Sequence, residues 1–200
     1  MPNPEYGGGW GVLGGSFDPV HEGHLNLAER ICSKKQLDGV LFIPAYKHPL
    51  KKLAFTAPYT DRIAMLKLAL AGQNKLQLCE IEKEQDLPGY TIETLHALRK
   101  LFPKTRFHFI IGSDLVEQLE SWHRAKELLN ETNFLAGSRP GSKMKKAGKI
   151  KNLEFVEIEE MDISASNIRT QIKTGATSET IRKLVPAGVA EYIFEKGFYR

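Results

Sequence analysis

The stretch "GGSFDPVHEGHLNLAER", residues 14–30, sets two histidines, His21 and His24, three apart around Gly23. Glycine weakens a helix and histidine is a middling helix former, so local propensity alone does not select this run. If the run opens a helix, both imidazoles share a face of its first turn. They can then touch one group of a bound polyphosphate, with Gly23 leaving room between them. Just upstream, Gly14, Gly15 and Ser16 read as a strand-to-helix turn whose bare backbone can approach a phosphate beside the free N–H groups of the helix start. Histidines at this spacing can also share a zinc ion or serve structure alone. A zinc site wants a third strong ligand and an activating carboxylate at motif spacing, and neither is present.

Other chemistry-bearing residues fall in short runs. "ISASNIR", 163–169, places Ile163, Ser164 and Ser166 ahead of Arg169, and by itself reads first as a helix start capped by Ser164 with a solvated arginine. "PAYKHPLKK", 44–52, carries Pro44, Pro49 and the lysines 47, 51 and 52; a solvated loop explains these as well as phosphate contact does. "GSD" places Gly112 before Asp114, which can cap a helix, hold a ligand, or do both. Tyr90 and Thr91 of "LPGYT", and Trp122, can line a site or fill a core. Gly9, Gly11 and Gly14 spell the dinucleotide pattern GxGxxG, but across a strand rather than after one, which argues against a hydride-transfer enzyme.

The elements that must position these residues are legible as alternating patterns. "WGVLG", "GVLFIP", "KLQLCE", "RFHFIIG", "NFLAGS" and "LEFVEI" read as strands. Helical patterns cover 22–35, with Leu25, Ala28 and Cys32 on one stripe, then 58–72 between Pro58 and Gly72, and 91–101 before Pro103. After the sixth strand, "SNIRTQIKTG", "SETIRKLV" and "PAGVAEYIFEKG" read as helices punctuated by Gly175, Pro186 and Gly197. The expected fold is α/β, a Rossmann-like doubly wound parallel sheet with helices on both faces. One domain spans 1–200, with a flexible extension at 1–9 and a C-terminal helical segment at 164–200. Ligands of such sheets bind beyond the carboxyl ends of the strands, and the runs above lie there.

Bulk properties agree. A chain of 200 residues and 22.5 kDa can bury one core, and 42% hydrophobic with 26% charged residues excludes a mainly disordered chain. The net charge of +4 and pI near 9.0 suit an anionic ligand. The densest basic run, 141–152, has no interleaved aromatics and reads as a solvated loop, so no nucleic-acid partner is expected. Cys32 and Cys79 match no metal or redox spacing and read as buried reduced thiols. With no signal-peptide pattern and no apolar run near the ~20 residues of a membrane span, the expectation is a cytoplasmic protein without a membrane partner.

"GSFDPVHEGH" resembles the HxGH phosphate-binding signature of the nucleotidylyltransferase superfamily, including the hydroxyl residue, here Ser16, five positions ahead. "ISASNIR" resembles that superfamily's later ISxTxxR, with Ser166 in place of threonine. "LPGYTIETL", "GSDLVEQLESWHRAKELL" and the closing "KGFYR" extend the resemblance over nearly the whole chain, to the bacterial nicotinate-mononucleotide adenylyltransferases; Gly89 stands where that family usually has serine. The resemblance implies transfer of the AMP part of ATP to nicotinate mononucleotide, giving nicotinate adenine dinucleotide and pyrophosphate. It assigns catalysis to His21, His24, Lys51 and Arg169, the last toward the outer phosphates. ATP binding falls to Gly14, Gly15, Ser16, Phe17, Gly23, Gly112, Asp114, Ile163, Ser164 and Ser166, with Asp114 at the ribose.

The mononucleotide falls to Tyr90, Thr91 and Trp122. A flat nicotinate ring bearing a carboxylate suits an aromatic face such as Trp122 together with N–H groups at a helix start. The resemblance further implies Mg²⁺ carried mainly by the ATP phosphates, no protein-held metal, Asp18 as an outer-sphere helper at most, and leaves a homo-oligomer open. Transfer to nicotinamide mononucleotide or phosphopantetheine, or a regulator that binds nucleotide without turnover, are the competing expectations.

Overall fold

Val40, Leu41, Phe42 and Ile43 are all at most 1% exposed, as expected of a parallel strand covered on both faces. In the computed structural model, which describes residues 9–47, 55–138, 150–159 and 161–200, they belong to the second of six strands. These are β1 (Trp10–Gly15), β2 (Gly39–Pro44), β3 (Leu76–Leu78), β4 (Phe107–Gly112), β5 (Asn133–Ser138) and β6 (Leu153–Glu157). All pairings are parallel in the order β3-β2-β1-β4-β5-β6. The expected strands are all present, with β3 shorter than its apolar run.

Side chains alternate between the two faces and build two cores. Leu13, Val40, Phe42, Ile110 and Leu135 meet α1 (Glu22–Lys34), α2 (Tyr59–Ala69) and three helices beyond β6, α6 (Ala165–Lys173), α7 (Ser178–Ile181) and α8 (Ala187–Lys196). Val12, Leu41, Ile43, Phe109 and Ile111 meet α3 (Ile81–Glu84), α4 (Thr91–Leu101) and α5 (Ala125–Glu131). Each fully buried Leu or Ile stabilises by about 1.5–3 kcal/mol, so these faces hold the sheet between its helices. Cys32 and Cys79 are buried free thiols, one in each core. Among the described residues, no helix is long and apolar enough to cross a membrane.

Three local features depart from the sequence pattern. Gly14 and Gly15 complete β1, opposite Ile43 and Pro44, so the turn into α1 runs from Ser16 to His21 instead of through the glycines. Phe17 there adopts φ +48°. Residues 113–121 form a 3₁₀ helix, in which Val116 and Leu119, three apart, both reach the core, matching three residues per turn. The single turn of α3 was not anticipated.

Candidate active site

The sheet order reverses direction between β1 and β4, the crevice position of open α/β sheets. These strands pair only from Trp10–Val12 to Phe107–Phe109. Beyond that point Leu13–Gly15 and Ile110–Gly112 line a cleft of about 850 Å³. The α1 side contributes His21, Gly23 and His24, and the opposite side Gly89, Thr91 and Trp122. Gly14 has open space where a side chain would stand, so its backbone faces the cleft bare.

His21 is the N-cap of α1 with extended backbone, and His24 lies one turn on. Their rings stack at 3.7 Å between centroids, 25° from parallel, and the edge of the fully buried Phe17 supports His24 at 5.0 Å. His24 Nδ1 accepts the His21 backbone N–H at 3.3 Å. A neutral ring accepting at Nδ1 carries its proton on Nε2, so His24 keeps a donor for a ligand. A Cβ at position 23 would stand 3.0 Å from His21 Nδ1, so any other residue would push the His21 ring by a few tenths of an ångström.

Burial pushes the His21 imidazole down to about 4, and burial followed by the neighbouring His21 holds His24 well below the ordinary value. Both are therefore neutral at pH 7 in the folded, ligand-free protein. An unfolded histidine protonates near ~6.5, so below that pH the unfolded chain binds the proton that folded His21 refuses. This contribution to stability is complete above ~6.5 and lost as pH falls toward 4. We expect urea unfolding to show a pH slope over this window that is shallower in His21→Asn, by up to ~1.4 kcal/mol per pH unit; an unchanged slope would contradict burial of a neutral ring.

The remaining expected residues divide. Ser16, Gly112, Asp114, Thr91, Trp122, Ile163 and Ser164 line the cleft with the glycines and histidines. A Cβ on Gly112 would meet Asp114 Oδ1 at 2.5 Å, so glycine lets that carboxylate fold back. Ser164 caps α6, its Oγ accepting the Asn167 N–H at 3.2 Å.

Phe17, Tyr90, Ser166 and Arg169 do not line the cleft. Phe17 is core, Tyr90 stacks on His123 at 4.1 Å, and Ser166 is exposed beside Ser164. Arg169 Nη1 donates to the Asp18 carbonyl at 2.7 Å, joining α6 to the turn that leads to His21. Lys51, Pro49 and Lys52, most of the basic run 141–152, and residues 1–8 of the extension lie outside the described residues.

Asp18 is not placed to serve a metal. Its carboxylate is 4% exposed and occupied by the backbone N–H groups of Thr56 and Ala57 and the Tyr199 hydroxyl. Among the described residues the cluster of possible metal ligands is His96, Glu127 and Glu131, none of which lines the cleft; both glutamates already pair with arginines.

Two residues that support the site escaped the sequence pattern, and of these Glu82 lines the cleft while Arg62 lies behind it. Arg62, fully buried, donates to the Ser16 carbonyl at 2.6 Å and the Ala45 carbonyl at 2.9 Å under the ring of Phe55 at 3.9 Å. Glu82 accepts from the Tyr46 N–H and the Thr94 hydroxyl, and burial pushes its carboxyl above the usual range. A signal for Arg62 was available, since it occupies the α2 stripe with Met65, Leu66 and Ala69, a core position where an arginine needs buried acceptors.

The cytidylyltransferase-like family model matches residues 12–171. The chain is 40% identical over 94% of its length to the "probable nicotinate-nucleotide adenylyltransferase" of Geobacillus thermodenitrificans, covering 85% of that protein. It is 36% identical over 94% of its length to the protein of the same name from Dehalococcoides mccartyi, covering 96%. Among solved structures, the nicotinic acid mononucleotide adenylyltransferase of Plasmodium falciparum complexed with NaAD superposes with a TM-score of 0.81 at 20% identity, over 95% of this chain and 96% of that one. That likeness is one of fold.

Proposed function

Because the chain belongs to the cytidylyltransferase-like family, with nicotinate-nucleotide adenylyltransferases as its relatives, we propose that it joins nicotinate mononucleotide to the AMP part of ATP. The products are nicotinate adenine dinucleotide and pyrophosphate. The observation that carries this reading is the stacked, neutral imidazole pair beside the bare Gly14 backbone at the point where β1 and β4 part. A cleft of this size, lined from both sides of the sheet, suits two nucleotides meeting over the strand ends.

An oxygen of the mononucleotide phosphate attacks the α-phosphorus of ATP; that O–P bond forms as the bond to the β-phosphate oxygen breaks, and the electron pair leaves with pyrophosphate. The attacking monoester, with a second pKa near ~6, is largely dianionic at neutral pH, so no protein base or nucleophile is required. The protein supplies alignment and donors. In this reading His24 Nε2–H and His21 stabilise charge on the transferring phosphate and Lys51 meets the outer phosphates, while Arg169, bound to the Asp18 carbonyl, holds the turn that carries His21. Gly14, Gly15, Ser16, Gly23, Ile163 and Ser164 surround ATP, with Phe17 beneath as support, Ser166 beside the Ser164 hydroxyl and Asp114 at the ribose. Mg²⁺ bound with the ATP phosphates would be held mainly by phosphate and water, since among the described residues no cluster of possible metal ligands lines the cleft, and its charge would offset that of the triphosphate. The buried thiols suit a cytoplasmic setting.

On the opposite side, Trp122 stacks on the nicotinate ring and the α4 N-terminus at Thr91 receives its carboxylate; Tyr90 supports this end through His123. Trp122→Ala is expected to raise the mononucleotide KM roughly tenfold with little change for ATP, and a defect confined to ATP would contradict the stacking role. The direct test is pyrophosphate release with ATP and nicotinate mononucleotide, with nicotinamide mononucleotide in parallel. Release with the acid substrate is expected. Binding without release would leave a regulator, and preference for the amide would change the assigned substrate.

A further inference from the structure

We propose that Tyr199 is a positioning residue for adenylyl transfer, acting through Asp18 on the turn that ends in His21. The inference rests on the reaction proposed above.

Asp18 lies three residues before His21 and is held from three directions. Its Oδ2 accepts the Thr56 N–H at 2.7 Å, its Oδ1 accepts the Ala57 N–H at 3.1 Å and the Tyr199 O–H at 2.7 Å, and its carbonyl accepts Arg169 Nη1. A carboxylate offers about four acceptor sites, so the buried group is nearly saturated, and each donor constrains its orientation. Two residues upstream of Asp18, the Ser16 carbonyl is gripped by Arg62, so these contacts hold the turn at both its start and its middle.

Tyr199 reaches this position at some conformational cost. Its backbone has φ +67°, a region disfavoured for a bulky residue, two residues after the left-handed turn at Gly197, where φ is +68°. The ring is 7% exposed and packs beside Phe198 in the core that carries α1 and α8. The hydroxyl could have faced solvent from many surface sites; here it is buried and spent on the one carboxylate in the catalytic turn. Burial and the Asp18 charge push the phenol upward, so it remains a donor throughout the working pH range.

Tyr199→Phe removes the donor and keeps the ring. Expected are a retained unfolding midpoint at assay temperature, kcat lowered about tenfold, and a mononucleotide KM close to that of the parent. Because the two residues act as a unit, Tyr199→Phe added to Asp18→Asn should lose no more than Asp18→Asn alone. Parental kcat in a folded Tyr199→Phe, or losses that multiply in the double variant, would overturn the proposal. An activity-independent measurement separates this from failure of the reaction itself. If the parent protein releases no pyrophosphate, or Asp18→Asn does not fold, the ring signals of His21 and His24 in Tyr199→Phe decide: they should shift while those of His96 and His123 stay, and unmoved signals overturn it.

Discussion

His24→Ala is expected to turn over at least ~100-fold more slowly than the parent while remaining folded. The ring is stacked on His21, backed by Phe17, and fixed in tautomer by the backbone N–H it accepts, so its Nε2–H is aimed before any ligand arrives. A preorganised donor to charge developing in the transition state is worth about 2.7–4 kcal/mol, far more than the same contact made to the ground state in water. The stability loss is small by comparison. Removing the acceptor for the N-cap N–H and one half-buried ring costs about 1 kcal/mol, which a protein of this size tolerates. Steady-state kinetics with circular dichroism on the same sample checks both parts, and near-parental turnover in a folded variant would remove His24 from the reaction.

Arg62→Leu is expected to show the largest stability change, a loss of about 3 kcal/mol or more in urea unfolding. The guanidinium is fully buried, donates to two carbonyls at the carboxyl ends of β1 and β2, and faces the charges of Asp18 and Glu82. Burial disfavours its charged form and Asp18 most strongly offsets that. Leucine fills part of the volume but leaves Ser16 and Ala45 without a partner and two buried carboxyl groups without the compensating charge. Arg62→Lys, which keeps a charge but not the two-pronged reach, should fall between. An unchanged midpoint in Arg62→Leu would mean that water or other donors satisfy these groups.

Much of the fold was legible because buried parallel strands read as unbroken apolar runs, clearest in "GVLFIP", and because Pro58 and Gly72 bracket α2. The site was legible where function overrides propensity. The histidine pair around a glycine has little folding reason to exist, and the structure brings it to the cleft. What stayed hidden depends on contacts distant in sequence. Asp18, an outer-sphere helper at most by its sequence position, has its carboxylate filled by Thr56, Ala57 and Tyr199, all far from it along the chain. Phe17 follows the glycines yet turns into the core, and Gly14 and Gly15 belong to the strand because pairing with β2 continues through them. Tyr90 and Trp122 look alike as aromatics near a loop. Only the fold separates one stacked on His123 from one lining the cleft.

The central claim is that the two imidazoles cradle the triphosphate, and nitrogen-15 NMR of the histidine rings during titration with ATP tests it most directly. The account predicts that His21 and His24 respond while His96 and His108, which do not line the cleft, do not, the Nε2 resonances of the pair moving and their protonation midpoints rising from the depressed values of the free protein. Saturation with ATP that leaves both rings titrating as before would contradict it.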